Sequence, residues 1–371
     1  MNFTRRSAIK AIAGSFALPA LSPITSVFAQ SNSDWKTYEI TTIVNLDAPD
    51  QAAQAWIPLP LVKDTDYFKT ISIKTELPAT AKGKSKVVET PDKQARMAHI
   101  QWDKSSGERV AKVVTVISTR ERFNQLGGAP NPALKLSPAE QKFWTKGTAM
   151  LPTDGIVKTK ALEITKNLPS NASDIDKAKA IYDWVVENTQ RNPKTRGCGP
   201  GDVKYMLENN ELNGKCADLN ALYVALTRSL GVPARDVYGI RVADSARGYK
   251  SLGKADNITK AQHCRAEFYA NGYGWVAVDP ADVRKVILEE SGGLPENDPK
   301  VLAARQYLFG SWEMNWMAYN YEHDVVLPGS KLGKAGAVSF LMYPQAEAKD
   351  GRFDSLDPDN FKYSISSKLI G

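Results

Sequence analysis

Between residues 35 and 125 the chain alternates. YEITTIVNL and KVVTVIST set β-branched or apolar residues at every second position or in short runs, and AQAWIPLP closes on prolines that limit a strand. Turn-rich stretches such as TAKGKSK separate these runs. The pattern predicts a β-sandwich-like module. LGGAPNPALKLSP (126–138) is rich in Gly and Pro and marks its end.

Beyond that boundary the period becomes helical. Helices are expected near 156–167 and over DIDKAKAIYDWVVENT (174–189), where Ala178, Ile181 and Val185 share one face. RNPKTRGCGPGD (191–202) reads as a loop and VKYMLEN as a short helix. In the next segment Leu219, Tyr223, Leu226 and Leu230 recur at steps of 4, 3 and 4, a buried stripe that Gly231 and Pro233 terminate. Cys216 lies three residues before Leu219, on the same inward stripe near the helix start. RDVYGIRVA (235–243) reads as a strand and HCRAEFYANGYGWVAVDPAD (263–282) as a hairpin around Asn-Gly. A helix near 299–307 and strands such as AVSFLMY follow.

Composition adds little to this picture except at the start. MNFTRRSAIK carries Arg5-Arg6 and no acid, and the apolar stretch after it ends Val27-Phe28-Ala29, which fits a signal-peptidase site. Pro19 and Pro23 argue against a stable membrane span. T-R-R-S-A-I-K resembles the twin-arginine export signal, with an ordinary secretory signal as the alternative. The mature chain is expected from about Gln30, periplasmic or secreted. Without residues 1–29 it holds 45 basic and 41 acidic side chains, a net +4, with no Lys/Arg block, so nucleic-acid binding is not expected.

Charge and placement together change the picture at Cys216. A thiol at a helix N-terminus feels the positive end of the macrodipole, which favours thiolate. Of the three histidines, His99 falls in the front module and His323 in the tail, whereas His263 opens the hairpin 47 residues after Cys216. Centring the turn on Asn271 sets Asp279 opposite His263 on one sheet face, ~5 Å apart at Cβ. The three then have the roles of nucleophile, base and orienter. A zinc set of Cys198, Cys216, His263 and Cys264 is disfavoured, because there is no C-x-x-C spacing and adjacent strand residues point to opposite faces. No metal and no cofactor are expected. Arg265 and Glu267 should pair on the hairpin or with Arg235 and Arg241, and Trp275 should pack on the same strands. The exported compartment allows a Cys198–Cys264 bridge, but Cys264 belongs with Ala266, Phe268, Val276 and Val278 on an apolar face that suits a free thiol.

The blocks G-K-C-A-D-L-N-A-L-Y, H-C-R-A-E-F-Y and G-W-V-A-V-D-P-A-D, in that order and spacing, resemble the core of the transglutaminase-like superfamily over roughly 156–290. W-I-P-L-P, and F-G-S-W-E-M-N-W with the following L-P-G, resemble flanking features of bacterial members. The resemblance implies an α+β fold with a papain-like core. It also implies Cys216 as nucleophile, His263 as general base and acid, and Asp279 as orienter. Animal transglutaminases place a Trp oxyanion donor ahead of the catalytic helix. Here that loop reads R-G-C-G-P-G-D, which leaves the second donor unassigned.

The expected organisation is a cleaved signal (1–29), a β-rich N-terminal domain (30–128), a catalytic core (129–290) and a C-terminal α+β extension packed on the core (291–371). The expected function is a thioester acyl-enzyme on Cys216. Its acyl group passes to water (peptidase or amidase) or to an amine (transglutaminase), with protein, peptide or cell-envelope amides as substrates. The alternative is a non-catalytic envelope binding or assembly protein that keeps the fold.

Overall fold

The alternation in the front third is resolved into two sheets. The computed structural model describes residues 34–371 except 49, 63, 106 and 350, so the expected export signal lies outside the described residues. Six strands come first: β1 (Lys36–Asn45), β2 (Ala53–Leu59), β3 (Phe68–Glu76), β4 (Lys84–Glu89), β5 (Arg96–Trp102) and β6 (Val110–Thr119). In β1 every second residue from Tyr38 to Val44 is buried, the period that one covered sheet face requires. β2 is buried throughout. Trp56 covers its far side, stacked on His99 with centroids 5.2 Å apart, and its indole N–H donates to the Pro328 carbonyl at 2.9 Å. The W-I-P-L-P and L-P-G segments, distant in sequence, are thus in contact.

The helices are α1 (Pro138–Thr145), α2 (Gly155–Thr165), α3 (Asp174–Asn188), α4 (Val203–Glu208), α5 (Cys216–Ser229), α6 (Pro280–Glu289) and α7 (Pro299–Tyr307). Two of these were not expected. α1 starts with a complete capping box, Ser137 with Glu140, and has Pro138 at its first turn. α6 is capped by Asp279, with Pro280 at its first turn. Among the described residues no helix is long and apolar enough to cross a membrane.

A four-stranded antiparallel sheet carries the core: β7 (Ala234–Arg241), β8 (Gln262–Ala270), β9 (Gly274–Val278) and β10 (Trp316–Asn320), in the order β9-β8-β7-β10. One face packs on α5. The expected stripe on α5 is in fact a whole buried surface, since every residue from Cys216 to Ser229 is covered. α2 and α3 pack on one side of it and β8 on the other. Val237, Ile240, Met317 and Ala318 of this sheet share one apolar cluster with Ile40, Ile57, Ile100 and Ile117 of the two front sheets. The central sheet therefore lies between the helices and the front module.

The last segment divides. Phe340, Met342 and Tyr343 join the helical core. β11 (Gln345–Ala348) pairs with β2, and β12 (Tyr363–Leu369) pairs with β1 from Val44↔Tyr363 to Tyr38↔Leu369. Both front sheets thus take a strand from beyond residue 340.

Candidate active site

The start of α5 is fixed by a buried carboxylate. Asp218 accepts from the N–H groups of Lys215 and Gly201, both at 2.9 Å, and burial pushes its carboxyl up to about 6. A Cβ on Gly199, which sits at φ +88°, would lie 1.8 Å from Asp218 Oδ2. The glycines of R-G-C-G-P-G-D therefore let the loop fold against the first turn of α5. The Ala217 N–H donates to the Cys198 carbonyl at 2.9 Å, which sets Cys198 beside Cys216.

His263 reaches Asp279 by a route other than the expected one. The observed pairs run from Ala270↔Gly274 to Ala266↔Val278, which centres the turn on Gly272. The register expected from Asn271 is therefore wrong by two residues, and Asp279 has already left the strand to cap α6. A two-residue slip keeps side chains on the same sheet face. The His263 Nε2–Asp279 Oδ2 distance is 2.7 Å, and Asp282 Oδ2 stands 3.4 Å from the same nitrogen. Asn220 holds the group from below, donating to Asp279 Oδ1 at 3.3 Å and to the Cys264 carbonyl at 2.9 Å. Two tryptophans of F-G-S-W-E-M-N-W brace the hairpin: Trp316 donates to the His263 carbonyl at 2.9 Å and Trp312 to the Val278 carbonyl at 3.1 Å.

Charge in this site is closely balanced. Burial and Arg241 press His263 down, but the Asp282 and Asp279 carboxylates outweigh them and raise it to about 9. Burial would also raise Asp282, yet Arg241, paired with it at 2.6 Å, and His263 hold it well below the usual carboxylate range. Hydrogen bonds from the Cys198 and Cys264 thiols hold Cys216 well below an ordinary thiol, against burial and with help from His263. The Tyr343 hydroxyl donates to Cys198 Sγ at 3.1 Å. All three cysteines are buried and unbridged. His263, Asp279 and Asp282 bring potential metal-ligand atoms within 4.8 Å of one another. Arg241 and Arg265 already lie against those carboxylates, at 2.6 and 3.8 Å, so the positive charge a cation would bring is supplied by side chains.

The structure thus brings Cys216, His263 and Asp279 together. Asn220, Arg241, Asp282 and Trp316 were not singled out as site residues; the D-P-A-D cap was the legible signal for Asp282 alone. Glu267 pairs with Arg235 and Arg122, each at 2.6 Å, and Arg265 donates to the Glu313 carbonyl at 2.9 Å, so the two do not pair with each other. Trp275 lies under the Arg235 guanidinium at 3.8 Å, at the turn end of the hairpin. Cys216 and His263 open on a cleft of about 940 Å³ whose walls include residues 253–254, 257 and 259–263 and the segment around Pro358 and Tyr363.

Against known proteins, the model described as "Transglutaminase-like superfamily" matches residues 158–280. An uncharacterised protein of Haemophilus influenzae is 34% identical over 357 residues, covering 91% of this chain and 93% of that one. This chain belongs to the transglutaminase-like superfamily. Among solved structures, a candidate cysteine protease from Cytophaga hutchinsonii shares the transglutaminase-like fold at TM-score 0.52 and 14% identity, over 91% of this chain and 99% of that one. The periplasmic domain of TgpA from Pseudomonas aeruginosa is a more distant match, at TM-score 0.33 and 12% identity over 72% and 92% of the two chains.

Proposed function

We propose that the protein is an exported thiol acyltransferase or hydrolase with Cys216 as nucleophile, His263 as acid and base, and Asp279 as orienter. One observation carries the reading. A cysteine whose thiol is held well below its ordinary range, in part by a hydrogen bond with His263, stands beside that histidine, whose Nε2 is bonded to a buried carboxylate at 2.7 Å, and both open on one cleft. The Cys216 thiolate attacks an amide carbonyl, forming a C–S bond and an oxyanion that the Cys216 N–H, at the first helical position where no intrahelical acceptor is in reach, can receive. His263 gives its proton to the departing amine as the C–N bond breaks, leaving a thioester. Water or a second amine then attacks, His263 takes the proton, and the C–S bond breaks to restore the thiolate. Export rests on the signal-like first 29 residues.

The test is acyl trapping. Purified protein is incubated with envelope extract, quenched in acid and digested for mass spectrometry. An acyl adduct on Cys216 that neither Cys198 nor Cys264 carries is expected, and its mass names the substrate. A Cys216 that stays unmodified while the protein still captures envelope components would point to the binding role instead.

A further inference from the structure

The cleft over Cys216 is unequally charged. Besides His263, six Lys and Arg side chains line it: Arg191, Lys215, Arg241, Lys254, Lys260 and Lys285. Among the described lining residues Asp359 alone is acidic. Part of the positive charge is answered within the fold. Arg241 is paired with Asp282 at 2.6 Å, and Lys260 stands 3.8 Å from Asp359. Arg191 and Lys285 share a single carboxylate, Glu289. Lys215 and Lys254 form no ion pair among the described residues, and the neighbouring Asp218 gives its oxygens to backbone N–H groups. Lys215, Lys254 and one of the Arg191–Lys285 pair are therefore left without an ion-pair carboxylate of their own among the described residues.

We propose that the acyl donor is an acidic peptide, a segment with carboxylates flanking the attacked amide, which Lys215, Lys254 and the Arg191–Lys285 pair receive. The inference rests on the acyl-transfer reading of Cys216 and narrows its substrate class. The volume, about 940 Å³, accepts several residues of extended chain. The cations are spread over separate walls: Arg191 near the loop of 191–202, Lys215 at the start of α5, Lys254 beyond β7 and Lys285 in α6. Tyr343, Leu356 and Pro358 also line the cleft. Charges carried on separate elements, in a lining that also holds apolar groups, suit scattered carboxylates on a peptide, whereas a nucleic acid or sulfated polysaccharide calls for a continuous basic track. Lys285 also signals an unmet need: burial, and then Arg241, hold its ammonium below the usual lysine range, and a bound carboxylate would relieve that.

The test measures binding without turnover. The full chain carrying Cys216→Ala is titrated with two dansyl-labelled hexapeptides, one rich in Glu and its Gln-substituted twin. The Glu peptide should bind about tenfold more tightly near 0.1 M salt, and the gap should close in 0.5 M salt and in Lys254→Gln or Lys215→Gln. Equal affinity for the twins, a gap that neither lysine substitution reduces, or tighter binding of heparin or a single-stranded oligonucleotide would overturn it. Failure of the acyl-transfer reading looks different: no adduct on wild-type Cys216 while the Glu preference persists.

Discussion

At the residue scale, the acyl-transfer reading ties the working pH to the protonation of His263. Its two carboxylate neighbours raise it to about 9, so it is a cation at neutral pH beside a thiol that is already lowered. In the acyl-transfer reading, His263 must hold a proton for the leaving amine. The rate of acylation should therefore fall as pH rises through about 9, and a kcat/KM profile should place its alkaline limb there and not near the free-histidine value of about 6.5. The linkage has the same sign. With the folded value above the unfolded one, stability from this group is complete below about 6.5 and is lost as pH rises through about 9. Asp279→Ala should leave a folded protein but lower turnover by roughly 100-fold or more, since the imidazole loses its orienter. The same substitution should shift the alkaline limb downward. An unmoved limb with activity within a fewfold would make Asp279 merely the cap of α6.

At the element scale, what was legible followed from local periodicity. α2, α3, α4, α7 and three strands of the central sheet, β7, β8 and β9, lie close to where hydrophobic spacing sets them, whereas β10 was not expected. α1 and α6 are announced by Ser137-Pro138 and Asp279-Pro280 and not by apolar period, because both helices are short and start on polar caps. The juxtaposition of Cys216, His263 and Asp279 was legible because each has a distinct chemical type at an element end. Asn220, Arg241 and Trp316 were not, because their roles come from contacts that only the packed sheet creates. The loop before α5 gives a sharp test of that packing. Gly199→Ala would set a methyl 1.8 Å from Asp218 Oδ2 on a backbone at φ +88°. The substitution should cost on the order of 3 kcal/mol and release the loop that carries Cys198. Chemical denaturation should show the loss, and alkylation should reach Cys198 in the otherwise native protein. A variant with unchanged stability would mean that the loop can take another course over Asp218.

For the whole molecule, the decisive feature is that the cleft and the front sheets share a strand. Ile258 donates to the Ile365 carbonyl at 2.9 Å, and Thr259 Oγ1 accepts from the Ile365 N–H at 2.9 Å. The segment with Lys254 and Lys260 is therefore fastened to β12, which also closes the edge of β1. Deleting residues 363–371 should abolish activity although none of them belongs to the Cys216 group, and proteolysis of native protein should then begin near residues 253–260. Full activity in the deletion would show that the cleft wall stands without that support. The same pairing imposes an order of events on biogenesis. Val44 waits for Tyr363, so a chain emerging from the ribosome can assemble its helical core before its first sheet has an outer neighbour. An interrupted chain would keep the thiol but lack the finished cleft. Synthesis of the β12 strand thus doubles as a check on when Cys216 acquires its finished cleft.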